Sequence, residues 1–162
     1  MSSSFKIVDG RKVWHDDRGR RHRDGGPAVE SVNTDSEKEV YYWYRHGQLH
    51  REDGPAVIRV YPNTRYECWH LNGKRHRENG PASYYVLKGT NELVSKFWYL
   101  YGDLHRYAGP AVEGHSSENR WYFRGEERSE EEHMLYVWDN LTDEERDNYI
   151  FNQKQNEGSY NV

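Results

Sequence analysis

Short clusters of aromatic residues recur along most of the chain, separated by longer polar stretches. Representative clusters are residues 41–44, 66–69 and 96–99, with the sequences Tyr-Tyr-Trp-Tyr, Tyr-Glu-Cys-Trp and Lys-Phe-Trp-Tyr. Aromatic runs of this length favour β-strands. A glycine follows four residues after most of the tryptophans, and Asn72-Gly73 is the pair that a tight hairpin turn requires. The pattern therefore predicts a series of antiparallel hairpins.

A polar motif follows each aromatic cluster at a constant distance. Seven or eight residues after a tryptophan come His-Arg, two further residues and Gly-Pro-Ala. The tryptophans of the four full copies are Trp14, Trp43, Trp69 and Trp98, and their histidines are His22, His50, His76 and His105. A fifth copy begins at Trp121 and lacks both His-Arg and Gly-Pro-Ala. This recurrence predicts a repeat array in which each unit rests on its neighbours.

These units predict the fold class, which is mainly all-β. Residues 1–128 are expected to form an elongated antiparallel β-meander of about four and a half hairpin repeats, with about nine or ten strands. Linkers between the units are expected at 33–38, 62–64 and 88–92. In each unit, Gly-Pro is expected to end strand pairing, because proline lacks the N–H group that a ladder needs.

The C-terminal segment has a different character. Ser129 to Glu132 and Thr142 to Glu145 are both capping-box patterns, which predict two short helices. Residues 129–162 contain nine acidic and two basic residues, a net charge of −7. We interpret this segment as an acidic helical cap over the last edge of the sheet; a dedicated docking segment is the alternative.

The third copy, at Asn72-Gly73-Lys74, His76 and Gly80, resembles the MORN-type repeat. The closer match is a variant with the pattern Trp-x-x-Asn-Gly-x-x-His-Arg-x-Asp-Gly-Pro-Ala, which is similar to repeats in phage, giant-virus and bacterial proteins. The resemblance covers about residues 13–128. It implies a hairpin-repeat fold and, because related bacterial proteins are often labelled antitoxins and eukaryotic arrays serve as scaffolds, an interaction role. His-Arg stands where the MORN repeat has His-Gly.

Charge and cysteine content limit the cellular compartments and binding partners that the sequence fits. The chain has 23 Lys and Arg against 27 Asp and Glu, a net charge of −4, which gives no general attraction to nucleic acid. No apolar run approaches the roughly 18 residues that a membrane span needs. A single cysteine, Cys68, rules out an internal disulfide framework and fits a reducing compartment. We expect a cytoplasmic protein, in the host cytoplasm if it is viral.

The sequence offers little for catalysis or metal binding. Equivalent histidines of adjacent units should lie about 10 Å apart, because strands are spaced by about 4.8 Å, and zinc needs its ligands much closer. Cys68 lies inside an aromatic strand and is interpreted as a buried apolar residue. Nucleotide and hydrolase motifs do not occur. We therefore predict no enzyme activity, no cofactor and no metal; a hydrolase or nuclease assembled from distant loops is the third hypothesis.

Two sets of residues are candidates for binding. The arginines that follow the repeated histidines form a ladder, which either pairs with the acids beside it or holds an anion; they are Arg23, Arg51, Arg77 and Arg106. Neighbouring tyrosines must point to opposite faces of a strand, so some lie outward. The outward candidates are Tyr42, Tyr44, Tyr99 and Tyr101. Tyrosine and arginine together are typical of interface hot spots.

These observations favour a non-enzymatic module that binds another protein through a Tyr- and Arg-rich sheet face. The repeat's resemblance to phage and bacterial sequences favours an inhibitor or antitoxin-like role toward a host protein, for example a defence protein. The alternative is capture of a nucleotide or other small anion between arginine and aromatic rings. An open meander would also allow two copies to pair edge to edge.

Overall fold

The computed structural model describes residues 4–31, 38–114 and 119–147, and within them the chain is mainly antiparallel β-structure with a short C-terminal helix. The predicted linker residues 33–37 and the predicted cap beyond residue 147 lie outside these ranges. The strands are Ser4–Val8 (β1), Arg11–His15 (β2), Val29–Ser31 (β3), Glu39–Tyr42 (β4), Tyr44–Arg45 (β5), Gln48–Leu49 (β6), Val57–Val60 (β7), Thr64–Cys68 (β8), His70–Leu71 (β9), Lys74–Arg75 (β10), Ser83–Leu87 (β11), Leu93–Phe97 (β12), Tyr99–Leu100 (β13), Asp103–Leu104 (β14), Val112–Glu113 (β15), Trp121–Phe123 (β16) and Glu126–Arg128 (β17). The helix is Glu130–Asn140 (α1).

Nine of these strands form one antiparallel sheet in the order β1-β2-β3-β4-β7-β8-β11-β12-β15. The predicted all-β class is confirmed, and the main sheet alone accounts for the nine or ten expected strands. Four further hairpins, β5–β6, β9–β10, β13–β14 and β16–β17, pair separately. They bring the strands of the described residues to seventeen. The hairpins of the second, third and fourth units are each divided into a sheet part and a terminal part.

The division occurs at the repeated tryptophan. In the second unit the Trp43 amide donates to the Ala56 carbonyl at 2.8 Å, while the Trp43 carbonyl accepts from the His50 amide at 3.1 Å. The returning chain therefore leaves the ladder at His50 and rejoins it at Ala56. The same pair of bonds recurs at Trp14, Trp69 and Trp98. The intervening His-Arg-x-x-Gly-Pro segment forms a loop over the tryptophan.

Each terminal hairpin closes through a tight turn. Asn72 and Gly73 have φ angles of +49° and +82°, the left-handed values that the sequence pattern predicted for this pair. The first central residue of the equivalent turns is His46, Tyr101 or Arg124, and each also has a positive φ. Glycine fills the second position of each of these turns, where it adopts a left-handed φ without the steric cost of a side chain.

The two faces of the main sheet carry different side chains. Cross-strand partners on one face form a continuous row that is mostly buried, and we call this side the valine face. The row is Val13, Val29, Tyr42, Val57, Cys68, Ser83, Phe97 and Val112. The opposite side carries Trp14, Lys12, Glu30 and Glu67, and we call it the tryptophan face.

Helix α1 packs on the last terminal hairpin. Ser129 is its N-cap, and the Ser129–Glu132 capping box that the sequence predicted is present. The helix buries His133 and Val137, and Val137 packs with Phe123. Thr142 and Glu145 form the second box, with the Glu145 amide donating to the Thr142 hydroxyl at 3.2 Å, and residues 143–147 are helical. No helix in the described ranges is long and apolar enough to cross a membrane.

Candidate binding surface on the valine face

The arginine after each repeated histidine lies against the tryptophan of its own unit. The guanidinium carbon lies 3.9 to 4.3 Å from the tryptophan ring centre in all four units. The pairs are Arg23 with Trp14, Arg51 with Trp43, Arg77 with Trp69 and Arg106 with Trp98. In each unit the arginine also donates to the carbonyl of the Gly-Pro proline, at 3.0 to 3.4 Å. These four predicted binding residues are thus held inside the repeat.

The glycine of Gly-Pro closes this arrangement from the other side. A methyl group added at Gly54 would lie 2.7 Å from the guanidinium carbon of Arg51, closer than real contacts of this kind. Gly26, Gly80 and Gly109 have the same neighbour in their own units. The repeat therefore encodes a stack of three parts, in which a tryptophan ring, a guanidinium and a glycine lie in contact. This stack explains why the motif contains these residue types at this spacing.

The repeated histidines connect one unit to the next. Nδ1 of His50 accepts from the Asn72 amide, in the turn of the following unit, at 3.1 Å. The equivalent bonds join His22 to His46, His76 to Tyr101 and His105 to Arg124, at 3.4, 3.3 and 3.0 Å. Each of these bonds therefore crosses from the histidine of one unit to the turn of the next. The acceptor at Nδ1 places the proton on Nε2.

The surroundings of that Nε2 proton distinguish the fourth unit. Asp24 and Glu52 place a carboxylate oxygen at 3.3 and 3.2 Å from the first two histidines, and Glu78 places one at 3.9 Å from the third. The fourth unit has Tyr107 at this position, and Nε2 of His105 has no hydrogen-bond partner. Burial lowers the pKa of His105 to about 4. The charged form of this imidazole is therefore strongly disfavoured in the folded protein.

Three of the four candidate tyrosines contact arginines that the sequence analysis did not select. The Tyr42 hydroxyl accepts from Nε of Arg59 at 3.1 Å. The Tyr44 hydroxyl accepts from Arg21 at 3.2 Å, and the Tyr99 hydroxyl accepts from Arg75 at 2.9 Å. Tyr101, the fourth, is 55% exposed and stacks on the His76 ring at 4.2 Å.

Arg59 joins the phenols of Tyr42 and Tyr66 on the valine face, and Arg75 is close enough to Tyr66 to interact with it electrostatically. The Arg21–Tyr44 pair occupies the same place in the first two units as Arg75–Tyr99 does in the third and fourth. The Arg59 guanidinium lies 5.7 Å from the Tyr42 ring centre and 5.5 Å from that of Tyr66. The Tyr66 hydroxyl accepts from Ser83 at 2.9 Å, and burial raises the pKa of Tyr66 to about 12, so it stays neutral. We call this set the guanidinium–phenol strip. Its members are Arg21, Tyr42, Tyr44, Arg59, Tyr66, Arg75 and Tyr99.

Positive charge is compensated differently on the two faces. On the tryptophan face, Lys12 has Glu30 at 3.7 Å, Arg65 has Glu67 at 2.6 Å and Lys96 has Glu113 at 2.9 Å. Arg77, which stacks on Trp69, is an exception, with no carboxylate within 4.0 Å among the described residues. The cations Lys6, Arg11 and Arg59 of the valine face have no carboxylate within 4.0 Å among the described residues. The same holds for Arg21 and Arg75. The valine face therefore carries uncompensated positive charge.

A sequence signal for these arginines existed. Arg21 and Arg75 stand immediately before the repeated histidine, where the second and fourth units have Leu49 and Leu104. Strand alternation from buried Val57 would have placed Arg59 on the same side as Tyr42 and Tyr66. The strip arginines therefore stand at positions where the units differ from one another, and the repeated motif does not include them.

The strip can bind anions, and nothing in it resembles a catalytic constellation. Each guanidinium has five N–H donors, and the hydrogen bonds to tyrosine hydroxyls use one donor of Arg21, Arg59 and Arg75 apiece. Burial raises the pKa of the nearby Cys68 thiol, which disfavours the reactive thiolate. In the ranges that the structure describes, no group of three or more His, Cys, Asp or Glu side chains is placed to hold a metal.

Comparison of the chain with family models, with curated proteins and with solved structures found no match. The candidate surface therefore rests on the geometry of this chain alone.

Proposed function

We propose that this protein is a binding module that holds an acidic segment of another protein against the guanidinium–phenol strip. The observation that carries the proposal is the difference between the two faces. On the tryptophan face, Arg65 pairs with Glu67, and three of the four repeated arginines also have a carboxylate within 4.0 Å. The strip arginines Arg21, Arg59 and Arg75 instead donate to tyrosine hydroxyls. A carboxylate from a partner would supply the charge that the fold itself does not supply.

The chemistry of the strip fits a protein partner. Arginine and tyrosine give large, partly rigid contact areas and dominate interface energetics where they cluster. Guanidinium groups bind carboxylates through two parallel hydrogen bonds. The net charge of −4 opposes general binding to nucleic acid, whose affinity depends on neutralising many phosphates. The resemblance of the repeat to phage and bacterial sequences supports an inhibitory, antitoxin-like role for such a module.

A titration with a fluorescein-labelled deca-glutamate peptide, followed by fluorescence anisotropy, tests this function. We expect saturable binding that weakens as salt rises. The double variant Arg59→Gln/Arg75→Gln should reduce affinity at least tenfold. The matched control Arg45→Gln/Arg65→Gln removes the same charge from arginines that already pair with Glu52 and Glu67, and it should bind like the wild type. Equal affinity of the two double variants would contradict the proposal.

The second candidate function is capture of a small anion. It is favoured by Arg59, whose guanidinium lies within 6 Å of two tyrosine rings and keeps free donors. Thermal unfolding with ATP and with tripolyphosphate tests it, because a ligand at 100 times its Kd stabilises the folded state by about 2.7 kcal/mol. A rise in Tm that Arg59→Gln abolishes would support this function. An unchanged Tm at millimolar ligand would exclude both probes.

A further inference from the structure

Strand β1 is the first strand of the main sheet and forms one of its two edges. All five of its residues are exposed, and Phe5, Ile7 and Val8 are 50%, 58% and 47% exposed. Among the described residues β1 pairs with β2 alone. At the opposite edge, Val112 of β15 exchanges two backbone hydrogen bonds with Arg120, both at 3.1 Å. Within the described ranges, the backbone groups that point outward from β1 therefore have no strand partner.

The sheet itself shows which sequence pairs with a lysine-containing strand. Lys12 of β2 lies opposite Glu30 of β3, and the neighbouring Val13 lies opposite Val29. The same arrangement recurs three units later in the array, where Lys96 of β12 lies opposite Glu113 and Phe97 lies opposite Val112. In both places a lysine lies opposite a glutamate, and the apolar residue that follows this lysine lies opposite a valine. Opposite charges directly across an antiparallel ladder stabilise the pairing.

The outer strand β1 has the same combination of a lysine with adjacent apolar residues. Lys6 lies between Phe5 and Ile7, and it has no carboxylate partner within 4.0 Å among the described residues. We propose that β1 receives an extended segment of a partner protein by antiparallel strand addition. That segment carries Glu or Asp opposite Lys6, flanked by apolar residues opposite Phe5 and Ile7. Backbone hydrogen bonds provide the affinity, and the side-chain alternation provides the specificity.

A second copy of this chain fits the edge less well. The self-pairing that uses all five residues of β1 places Lys6 directly opposite Lys6 of the other copy. Like charges at directly opposed positions destabilise an antiparallel pair. A lysine at the centre of an exposed edge is also a common device against edge-to-edge association. An acidic strand should therefore pair with β1 more stably than β1 of a second copy does.

An NMR titration of the ¹⁵N-labelled protein tests the proposal with two peptides. They are acetyl-Ser-Thr-Val-Glu-Val-Thr-Ser-amide and its counterpart with Lys in place of Glu. We expect the Glu peptide to shift the amide signals of residues 4–8 at millimolar concentration, with at least fivefold higher affinity than the Lys peptide. In Lys6→Glu this preference should reverse. Lys74→Glu, which changes an exposed lysine of β10, should leave the preference unchanged.

Three outcomes would overturn the proposal. Two of them come from the NMR titration: unshifted β1 signals at millimolar peptide, and equal affinity for the two peptides. The third is a concentration-dependent dimer, measured by light scattering, that Ile7→Lys dissociates. The dimer would show that a second copy covers the edge. The variant Arg59→Gln/Arg75→Gln should retain the β1 shifts, so failure of the guanidinium–phenol strip and failure of the edge can be told apart.

Discussion

The arginines at the repeated position and those outside it have opposite surroundings. Arg51 lies between the Trp43 ring and Gly54 and donates to the Pro55 carbonyl. Arg59 lies on the sheet surface, where it donates to the Tyr42 hydroxyl and lies 5.5 Å from the Tyr66 ring centre. A residue that recurs in every unit does the same structural task in every unit. The candidate binding arginines Arg21, Arg59 and Arg75 lie at positions where the units differ.

The fourth and fifth units differ from the first three in the contacts that their repeated positions make. The first three histidines have an acidic residue two positions later, whereas His105 has Tyr107. The fifth unit lacks the stacking arginine, and the Trp121 ring lies 5.2 Å from that of His133, which α1 contributes. The Tyr107 carbonyl also accepts from Nε2 of His133 at 3.2 Å. At the end of the array, contacts with α1 therefore replace the contacts that recur in the earlier units.

The largest expected effect comes from acidifying this junction. The pKa of His105 is about 4 in the folded protein against 6.5 for an unperturbed histidine. Between these values the unfolded chain binds a proton that the folded protein does not, so the free energy of unfolding decreases as pH falls from 6.5 to 4. At 1.36 kcal/mol per pKa unit the loss is about 3 kcal/mol. Urea unfolding at pH 7 and pH 4 measures it.

The variant His105→Asn is the control for this effect. Its side-chain oxygen can accept the Arg124 amide in place of Nδ1, and it does not titrate. Its loss of stability between pH 7 and pH 4 should therefore be smaller than that of the wild type by about 3 kcal/mol. An identical loss in both proteins would assign the acid sensitivity to other groups, among them His133, whose pKa burial also lowers.

The next effect concerns the stack that all four units share. Gly54→Ala forces the Arg51 guanidinium away from the Trp43 ring, because the new methyl group would lie 2.7 Å from its central carbon. Overpacking of this kind costs about 1–3 kcal/mol of unfolding free energy. Gly89→Ala is the matched control, since nothing lies within 4 Å of the added methyl group and the backbone is not left-handed. Equal stability of the two variants would contradict the proposed role of the glycine.

The sequence predicted the fold better than it predicted the surface. Aromatic clusters, Asn72-Gly73 and the capping box at Ser129 are local signals, and the structure shows the elements that they predict. The stacking of Arg51 on Trp43 and the inter-unit bond from Asn72 to His50 depend on how the returning chain leaves the ladder. The spacing of residues along the sequence does not specify the path that the returning backbone takes. The predicted binding roles of the repeated arginines remain untested.

A smaller effect is expected for the bond between units. His50→Ala removes the acceptor of the Asn72 amide, and leaving such a group without a partner costs about 1–3 kcal/mol, nearer the lower value at a partly exposed turn. His15→Ala, which changes a histidine outside the repeated position, should change stability by less than about 0.5 kcal/mol. Thermal unfolding of both variants measures the difference. A larger loss for His15→Ala would show that the repeated histidine is not the connector.

The smallest effect on stability should come from the residues with the largest effect on binding. Arg59→Gln and Arg75→Gln each remove a guanidinium that contacts tyrosine hydroxyls at the surface, without leaving a carboxylate unpaired. Each should therefore change the free energy of unfolding by no more than about 0.5 kcal/mol. Arg51→Gln, at the repeated position, removes the stack on Trp43 and leaves the Pro55 carbonyl without its donor, so it should cost at least about 1 kcal/mol more. Urea unfolding of the three variants makes the comparison directly. If Arg59→Gln destabilised the protein as much as Arg51→Gln, the strip would be part of the fold's support, and its lack of carboxylates would no longer indicate a partner.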